Sequence, residues 1–261
     1  MGPDMFNVQS NIHTYRERGT SPGGSQLRAQ HLLEAVAGSV VPVTQICLDQ
    51  LTRLMSFIVS GKLNASISPW LVGAPLTALR KKTGGYRPIA VGEVIRCLAS
   101  RLCCAAAKSG LPDLLLPYGQ VGVGTKGGLE AAIHTLRTVF KEEGHEDDLC
   151  CFKVDMQNAF NECDRSSFLE LVKEDLPDLF PYVQWCYTTT GELRFGQHRI
   201  LSTTGVQQGD PLGPLLFSLV VLQLLDTIGS IDGLFLHVWY LDDGTFVGTR
   251  DAVFFVLEFI D

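Results

Sequence analysis

The chain has no Cys-x-x-Cys pair, no low-complexity tract and no internal repeat, and charged residues make up only 19% of its 261 positions. Each absence excludes something. Without paired-cysteine spacing, the eight cysteines, among them the neighbours Cys103-Cys104 and Cys150-Cys151, offer no zinc site. They read as reduced, mostly buried thiols of an intracellular protein, with nothing to decide between nucleus and cytoplasm. The N-terminus, Met1-Gly2-Pro3-Asp4-Met5-Phe6, lacks both a signal-peptide pattern and the Ser or Thr of a myristoylation site. The apolar run Leu212–Leu225 is bounded by Asp210 and Asp226 and is too short to span a bilayer. It reads as a core helix, and no membrane partner is expected. There is no excess of positive charge either. The formal net charge is −7, which excludes a uniformly basic surface.

What is present is unevenly distributed. Between Arg53 and Lys108 there are nine basic residues against one acid, Glu93, so that segment carries +8 and the remainder −15. Hydrophobic content of 46% over this length is enough for one large or two small domains with a sizeable core.

Three acidic segments carry the chemistry. Tyr240-Leu241-Asp242-Asp243 lies between the apolar runs Leu234–Trp239 and Thr245–Gly248, and Asp-Gly is a strong turn signal. The spacing predicts two adjacent carboxylates on the tip of a tight hairpin. Leu149–Asp155 reads as a buried strand ending in an aspartate. A helix follows, with Asp164 as N-cap, Ser167 and Glu170 as a capping-box pair, and Phe168, Leu169, Val172 and Leu176 on its apolar face. Asp155 beside Asp242 and Asp243 would complete a nest of hard oxygen ligands for two Mg²⁺ ions roughly 3.5–4 Å apart. Between these segments, Gly205-Val206-Gln207-Gln208-Gly209-Asp210-Pro211 opens the apolar helix, with Asp210 as cap and Pro211 at its first position.

These segments, in this order, resemble the reverse transcriptase family over most of the chain. Asp155 and Phe160 match its first palm motif, Gln208-Gly209-Asp210-Pro211 its second, and Tyr240-Leu241-Asp242-Asp243 its third. Leu79-Arg80-Lys81-Lys82-Thr83-Gly84-Gly85-Tyr86-Arg87-Pro88-Ile89 is similar to the fingers hairpin that clamps the incoming triphosphate. Ser21–Arg28 resembles the segment preceding the fingers in retrotransposon and group II intron enzymes. One departure is Leu241, where many non-LTR retrotransposon enzymes carry a smaller residue.

The resemblance implies an RNA-directed DNA polymerase of retrotransposon type, acting on an RNA template, a DNA primer and dNTPs with two Mg²⁺ ions, or Mn²⁺. Asp155 and Asp242 would bridge both metals and Asp243 would assist. Phe160 would exclude a ribose 2′-hydroxyl, Gln208 and Gly209 would border the nucleotide, and Arg87 with Lys81 or Lys82 would neutralise the triphosphate. Spacing alone leaves open which of Arg80, Lys81 and Lys82 reaches phosphate. The implied fold is α+β: a polymerase right hand with an antiparallel palm sheet and helical and hairpin fingers. Residues 1–145 form the N-terminal and fingers region and 146–261 an incomplete palm. Because Asp261 comes eighteen residues after Asp243, a thumb is expected to be absent. That leaves two alternatives: an inactive remnant that at most binds nucleic acid, or another palm-type polymerase such as an RNA-dependent RNA polymerase, against which Phe160 argues.

Helices are predicted over 31–36, 43–60, 94–108 and 128–142, and a hairpin turning at Gly196-Gln197. The acidic run 142–148 is expected to be a solvated connection.

Overall fold

The computed structural model describes residues 7–17, 21–38, 40–82, 84–144 and 148–260. Met1–Phe6, Thr83, and His145, Glu146 and Asp147 of the acidic run lie outside the described residues. In chain order the elements begin with α1 (Val8–Glu17), α2 (Ala29–Val36), α3 (Val41–Val59), α4 (Ser68–Val72), β1 (Ala74–Arg80) and β2 (Tyr86–Ala90). Then come α5 (Val94–Ala107), α6 (Leu111–Leu115), α7 (Gly128–Glu142), β3 (Leu149–Asp155), α8 (Ala159–Glu162), α9 (Arg165–Asp175) and α10 (Phe180–Thr188). The chain continues through β4 (Gly191–Phe195), β5 (His198–Ser202), α11 (Gly213–Gly229), β6 (Leu234–Tyr240), β7 (Asp243–Thr249) and α12 (Arg250–Ile260). The four helices expected from periodicity are α2, α3, α5 and α7, each within two residues of its expected ends. All eight cysteines are unpaired thiols.

The chain divides into two compact units, both discontinuous in sequence. The first comprises Met1–Ala107 with Phe160–Gly213, the second Lys108–Ala159 with Pro214–Asp261. In the first unit the sheet order is β2-β1-β4-β5, with β1 parallel to β4 and both hairpins antiparallel. The hairpin at Gly196-Gln197 is therefore present. Its strand partner is β1 of the basic hairpin. In the second unit β3, β7 and β6 form an antiparallel sheet in that order. Its core includes Trp239 and Phe246, whose rings meet edge-on at 5.3 Å, together with the apolar face of α11.

Local sequence explains several boundaries. Asp164 caps α9 as expected, accepting from the Ser167 backbone N–H at 2.7 Å. Ser167 donates its hydroxyl to the same carboxylate at 2.8 Å, so its side chain pairs with Asp164 in place of the expected Glu170. A cap competes for the nearest acceptor, and Asp164 is one turn closer to the unpaired N–H groups. Asp210 accepts from the Leu212 N–H at 3.0 Å, and its other oxygen turns inward.

That inward contact organises the first unit. Arg96, on α5, and Asp210 form an ion pair at 2.7 Å with both side chains only 2% exposed. Arg96 also donates to the Gln207 side chain and to the Val72 carbonyl, and Gln207 donates to the same carbonyl at 2.8 Å. The Tyr187 hydroxyl donates to Asp210 at 2.8 Å, and its ring lies 5.7 Å from the Arg96 guanidinium. Burial works against the Arg96 charge, but Asp210 with the neighbouring Cys186 and tyrosines more than offsets it and holds the guanidinium well above its usual pKa. A buried pair is costly to assemble and costlier to break, because the survivor is left uncompensated. Arg96→Met is expected to lower unfolding free energy by about 3–5 kcal/mol, read by chemical denaturation. A loss below about 1 kcal/mol would show that the pair is not desolvated as described.

Candidate active site

The β3–β7 ladder puts Asp155 directly opposite Asp243, and Lys153 opposite Thr245. Side chains at opposed positions share a face, with Cβ atoms about 4.5–5.5 Å apart. Asp155, Asp243 and Lys153 therefore project from one side of the sheet. Asp242 is the next residue along, and its carbonyl accepts from the Met156 N–H at 3.2 Å, closing the ladder just beyond Asp155. Sequence reasoning chose these three carboxylates, and the second unit assembles all three at one end of one sheet.

The turn differs from the expected one. Tyr240 pairs with Asp243, so the two-residue loop is Leu241-Asp242, and Asp243-Gly244 already belongs to β7. Asp-Gly signals a turn because glycine tolerates positive φ, but here the glycine answers a different need. A Cβ on Gly244 would lie 2.7–2.9 Å from the Trp239 ring, which packs across the ladder from it. Leu241 takes the positive φ instead, at 60°. An L-residue held there costs on the order of 1–3 kcal/mol and persists only where its surroundings impose it. Gln120 imposes it. Fully buried, it accepts from the Leu241 N–H at 2.9 Å and donates to the Leu241 carbonyl at 3.2 Å. The segment bearing Gln120 is itself tied to β6, through Val121 N–H to Trp239 O and Trp239 N–H to Gly119 O, both 2.8 Å. A lone glutamine in a Gly-rich loop carries no recognisable spacing, so sequence reasoning missed it.

The site fits a cation. Its donors are carboxylate oxygens, the ligands that hard divalent ions prefer. One cation is already there: the Lys153 ammonium lies 3.4 Å from Asp243 Oδ1. The expected nest is nonetheless only partly formed. The backbones are in register, but among the described residues no three His, Cys, Asp or Glu side chains converge as a metal-binding group. Asp243 faces the lysine instead.

The remaining candidates belong to the first unit. Gln208 accepts from the Ala90 N–H at 2.8 Å through its carbonyl, which sets the Gln208-Gly209 loop along the edge of β2. Gly209 has φ +124°, and a Cβ there would collide with the Ala90 carbonyl, so no other residue fits without displacing the loop. The Phe160 carbonyl accepts from the Val206 N–H at 2.7 Å, joining the aromatic to this same loop. On the basic hairpin Leu79 opposes Arg87 and Arg80 opposes Tyr86, while the Lys81 N–H donates to Gly85 O at 3.0 Å. Alternation then puts Lys81 on the Arg87 face and Arg80 on the other.

The family model described as "Reverse transcriptase (RNA-dependent DNA polymerase)" matches residues 79–254, about two thirds of the chain. The chain belongs to the reverse transcriptase family. A retrotransposable element SLACS 132 kDa protein of Trypanosoma brucei gambiense is 30% identical over 203 residues, covering 75% of this chain and 16% of that protein. This reverse transcriptase chain thus spans about a sixth of its curated relative. Among solved structures, apo telomerase from Candida tropicalis, truncated from its C-terminal domain, has a TM-score of 0.53 at 14% identity, covering 74% of this chain and 47% of that one. Telomerase from Candida albicans, solved with a fragment of telomeric RNA, has a TM-score of 0.52 at 13% identity, covering 71% and 39%. At such identities the likeness is one of fold. It agrees with the expected α+β polymerase right hand and its antiparallel palm sheet.

Two substitutions test how the reverse transcriptase turn is held. Gly244→Ala should destabilise the protein by about 1–3 kcal/mol, since the indole must shift in a packed core. Gln120→Ala should cost a comparable 1–3 kcal/mol, because it leaves buried backbone groups of Leu241 unpaired. Thermal melts of both, with unchanged melting temperature as the contrary result, decide whether this geometry is right.

Proposed function

We propose that the chain is the polymerising part of a retrotransposon-type reverse transcriptase, adding deoxynucleotides to a DNA primer 3′-hydroxyl under the direction of an RNA template. The observation that carries this reading is the opposition of Asp155 and Asp243 on one sheet face, with Asp242 in the adjoining turn. Membership of the family and the similarity to a retrotransposon protein support the substrate class.

In this reading the reaction is an in-line displacement: the primer 3′-oxygen attacks the α-phosphorus and pyrophosphate leaves. Asp155 and Asp242 would hold two Mg²⁺ ions, for which Mn²⁺ could substitute, with Asp243 assisting. When bound, such ions acidify the 3′-hydroxyl and offset charge on the leaving pyrophosphate. The Lys153 ammonium, 3.4 Å from Asp243, would give way to such an ion. Phe160 packs against the sugar and selects against a 2′-hydroxyl, which disfavours ribonucleotide polymerisation. Gln208 and Gly209 border the nucleotide, and the absence of a side chain at Gly209 keeps the loop against β2. The shared face of Lys81 and Arg87 supports these two as the triphosphate contacts, with Arg suited to bidentate pairing. Lys82, at the hairpin turn, adds charge to the same end.

The first test is primer extension on an RNA template with dNTPs and Mg²⁺, comparing the chain with its Asp242→Ala, Asp243→Ala form. Extension confined to the unsubstituted chain is the expected result. Soluble, folded protein that never extends a primer would favour the remnant reading, and incorporation of ribonucleotides alone the RNA polymerase reading. In an active protein, Lys81→Ala and Arg87→Ala should each raise KM for dNTP about tenfold, the cost of about 1.4 kcal/mol of lost phosphate contact. Arg80→Ala should leave KM within a factor of two, and an equal rise there would put the triphosphate on the opposite face.

A further inference from the structure

Two ladders fix Asp243, which pairs with Asp155 on β3 and with Tyr240 on β6. Asp242 has no such place. It lies in the two-residue loop, one position outside both ladders. The Met156 N–H holds its carbonyl at 3.2 Å, but the torsion leading into Asp242 belongs to Leu241, at φ +60°. Sheet pairing therefore leaves the position of one carboxylate to a backbone conformation that leucine rarely adopts unaided.

That conformation is gripped from the side by residues 119–122. The segment runs parallel to β6, bridged at Gln120 and Trp239. Gln120 is fully buried, and its amide meets Leu241 as a neighbouring strand would. Its Oε1 accepts from the Leu241 N–H at 2.9 Å while its Nε2 donates to the Leu241 carbonyl at 3.2 Å. Oε1 also accepts from the Gly122 N–H at 3.1 Å, which fixes the orientation of the amide itself. Gly122 lets the segment come this close. A Cβ there would stand 2.7 Å from the Leu241 nitrogen and 2.9 Å from its Cγ. Glutamine offers an acceptor and a donor on one planar group, whereas ionised glutamate only accepts and methionine is at most a weak acceptor.

We propose that Gln120 is a positioning residue for the reaction: by imposing the left-handed torsion on Leu241 it sets Asp242 in place relative to Asp155, and with it the affinity of these carboxylates for divalent metal. Gln120 acts through the Leu241 backbone and not on substrate. The inference deepens the polymerase reading and rests on it for the role of the carboxylates. Mg²⁺ demands near-ideal ligand geometry at about 2.0–2.1 Å, so a carboxylate displaced by a fraction of that distance is felt as lost affinity. Groups that orient metal ligands typically account for about 10–100-fold in metal affinity or activity.

The test measures Mn²⁺ binding through the electron paramagnetic resonance of the free ion. Binding lost in the Asp242→Ala, Asp243→Ala form counts as site-specific. Gln120→Met keeps the bulk of the buried side chain, removes its hydrogen bonds, and should weaken that binding about tenfold. Adding Leu241→Asn should recover most of the loss, because asparagine enters the left-handed region with less strain and branches at Cγ as leucine does. A glutamine needed merely for packing would not be rescued in this way. Should Gln120→Met fail to fold, Gln120→Glu, which keeps the acceptors and loses the donor, carries the same comparison. In primer extension at limiting Mg²⁺, kcat should fall about tenfold while KM for dNTP stays within about a factor of two. A folded Gln120 variant that binds Mn²⁺ as tightly as the unsubstituted chain would overturn the proposal. So would a loss that Leu241→Asn leaves unchanged. A chain that extends primers with either of those results keeps its polymerase assignment and loses this role for Gln120. Mn²⁺ loss and recovery in full, in a chain that never extends a primer, would do the reverse.

Discussion

Asp155 and Asp243 face each other across a pair of hydrogen-bonded strands, and like charges directly opposed in a sheet repel. Several contacts in the second unit hold that opposition in place. The ladder between β3 and β7 runs without interruption from Leu149 to Asp155, so the strands cannot slip to separate the carboxylates. A one-residue slip would also turn the buried Phe246 away from its core face. Trp239 wedges over Gly244 and fixes the second strand pair, and Gln120 closes the turn. Lys153 supplies the local counter-charge. The sheet thus carries a strained, charged end on a rigid apolar body.

The first unit solves a related problem by burial. Its Gln207–Asp210 loop is held from within by the Arg96–Asp210 pair, leaving the outer side of the loop to Gln208 and Gly209. Asp210, expected to cap the apolar helix with Pro211 at its first position, instead closes the turn ahead of α11, which starts at Gly213, and is one half of an internal ion pair. The two uses occupy different oxygens of the same carboxylate.

Much of this was legible in the residues themselves. Asp155, Asp242 and Asp243 were chosen from strand-end and turn patterns, and the helices α2, α3, α5 and α7 from apolar spacing. The failures have definite physical sources. Asp-Gly was assigned to a turn because glycine usually serves the backbone there, whereas Gly244 serves the Trp239 ring, a contact that spacing does not reveal. The capping partner of α9 shifted because two hydroxyl and carboxylate groups lie within reach of the same N–H. Gln120 and Arg96 act over sequence separations of more than a hundred residues, and no local pattern marks them. Faces of the basic hairpin became distinguishable only once the register was fixed.

Leu241 has a consequence for what this motif can accept. Its backbone lies in the left-handed region, where β-branched side chains clash with their own carbonyl and glycine or asparagine sit without strain. The identity of the residue between Tyr240 and Asp242 is therefore governed by torsional freedom as well as by any contact with substrate. Valine or isoleucine would add strain to the turn that carries Asp242. Divergence at this position is filtered first by the shape of the peptide chain and only then by chemistry.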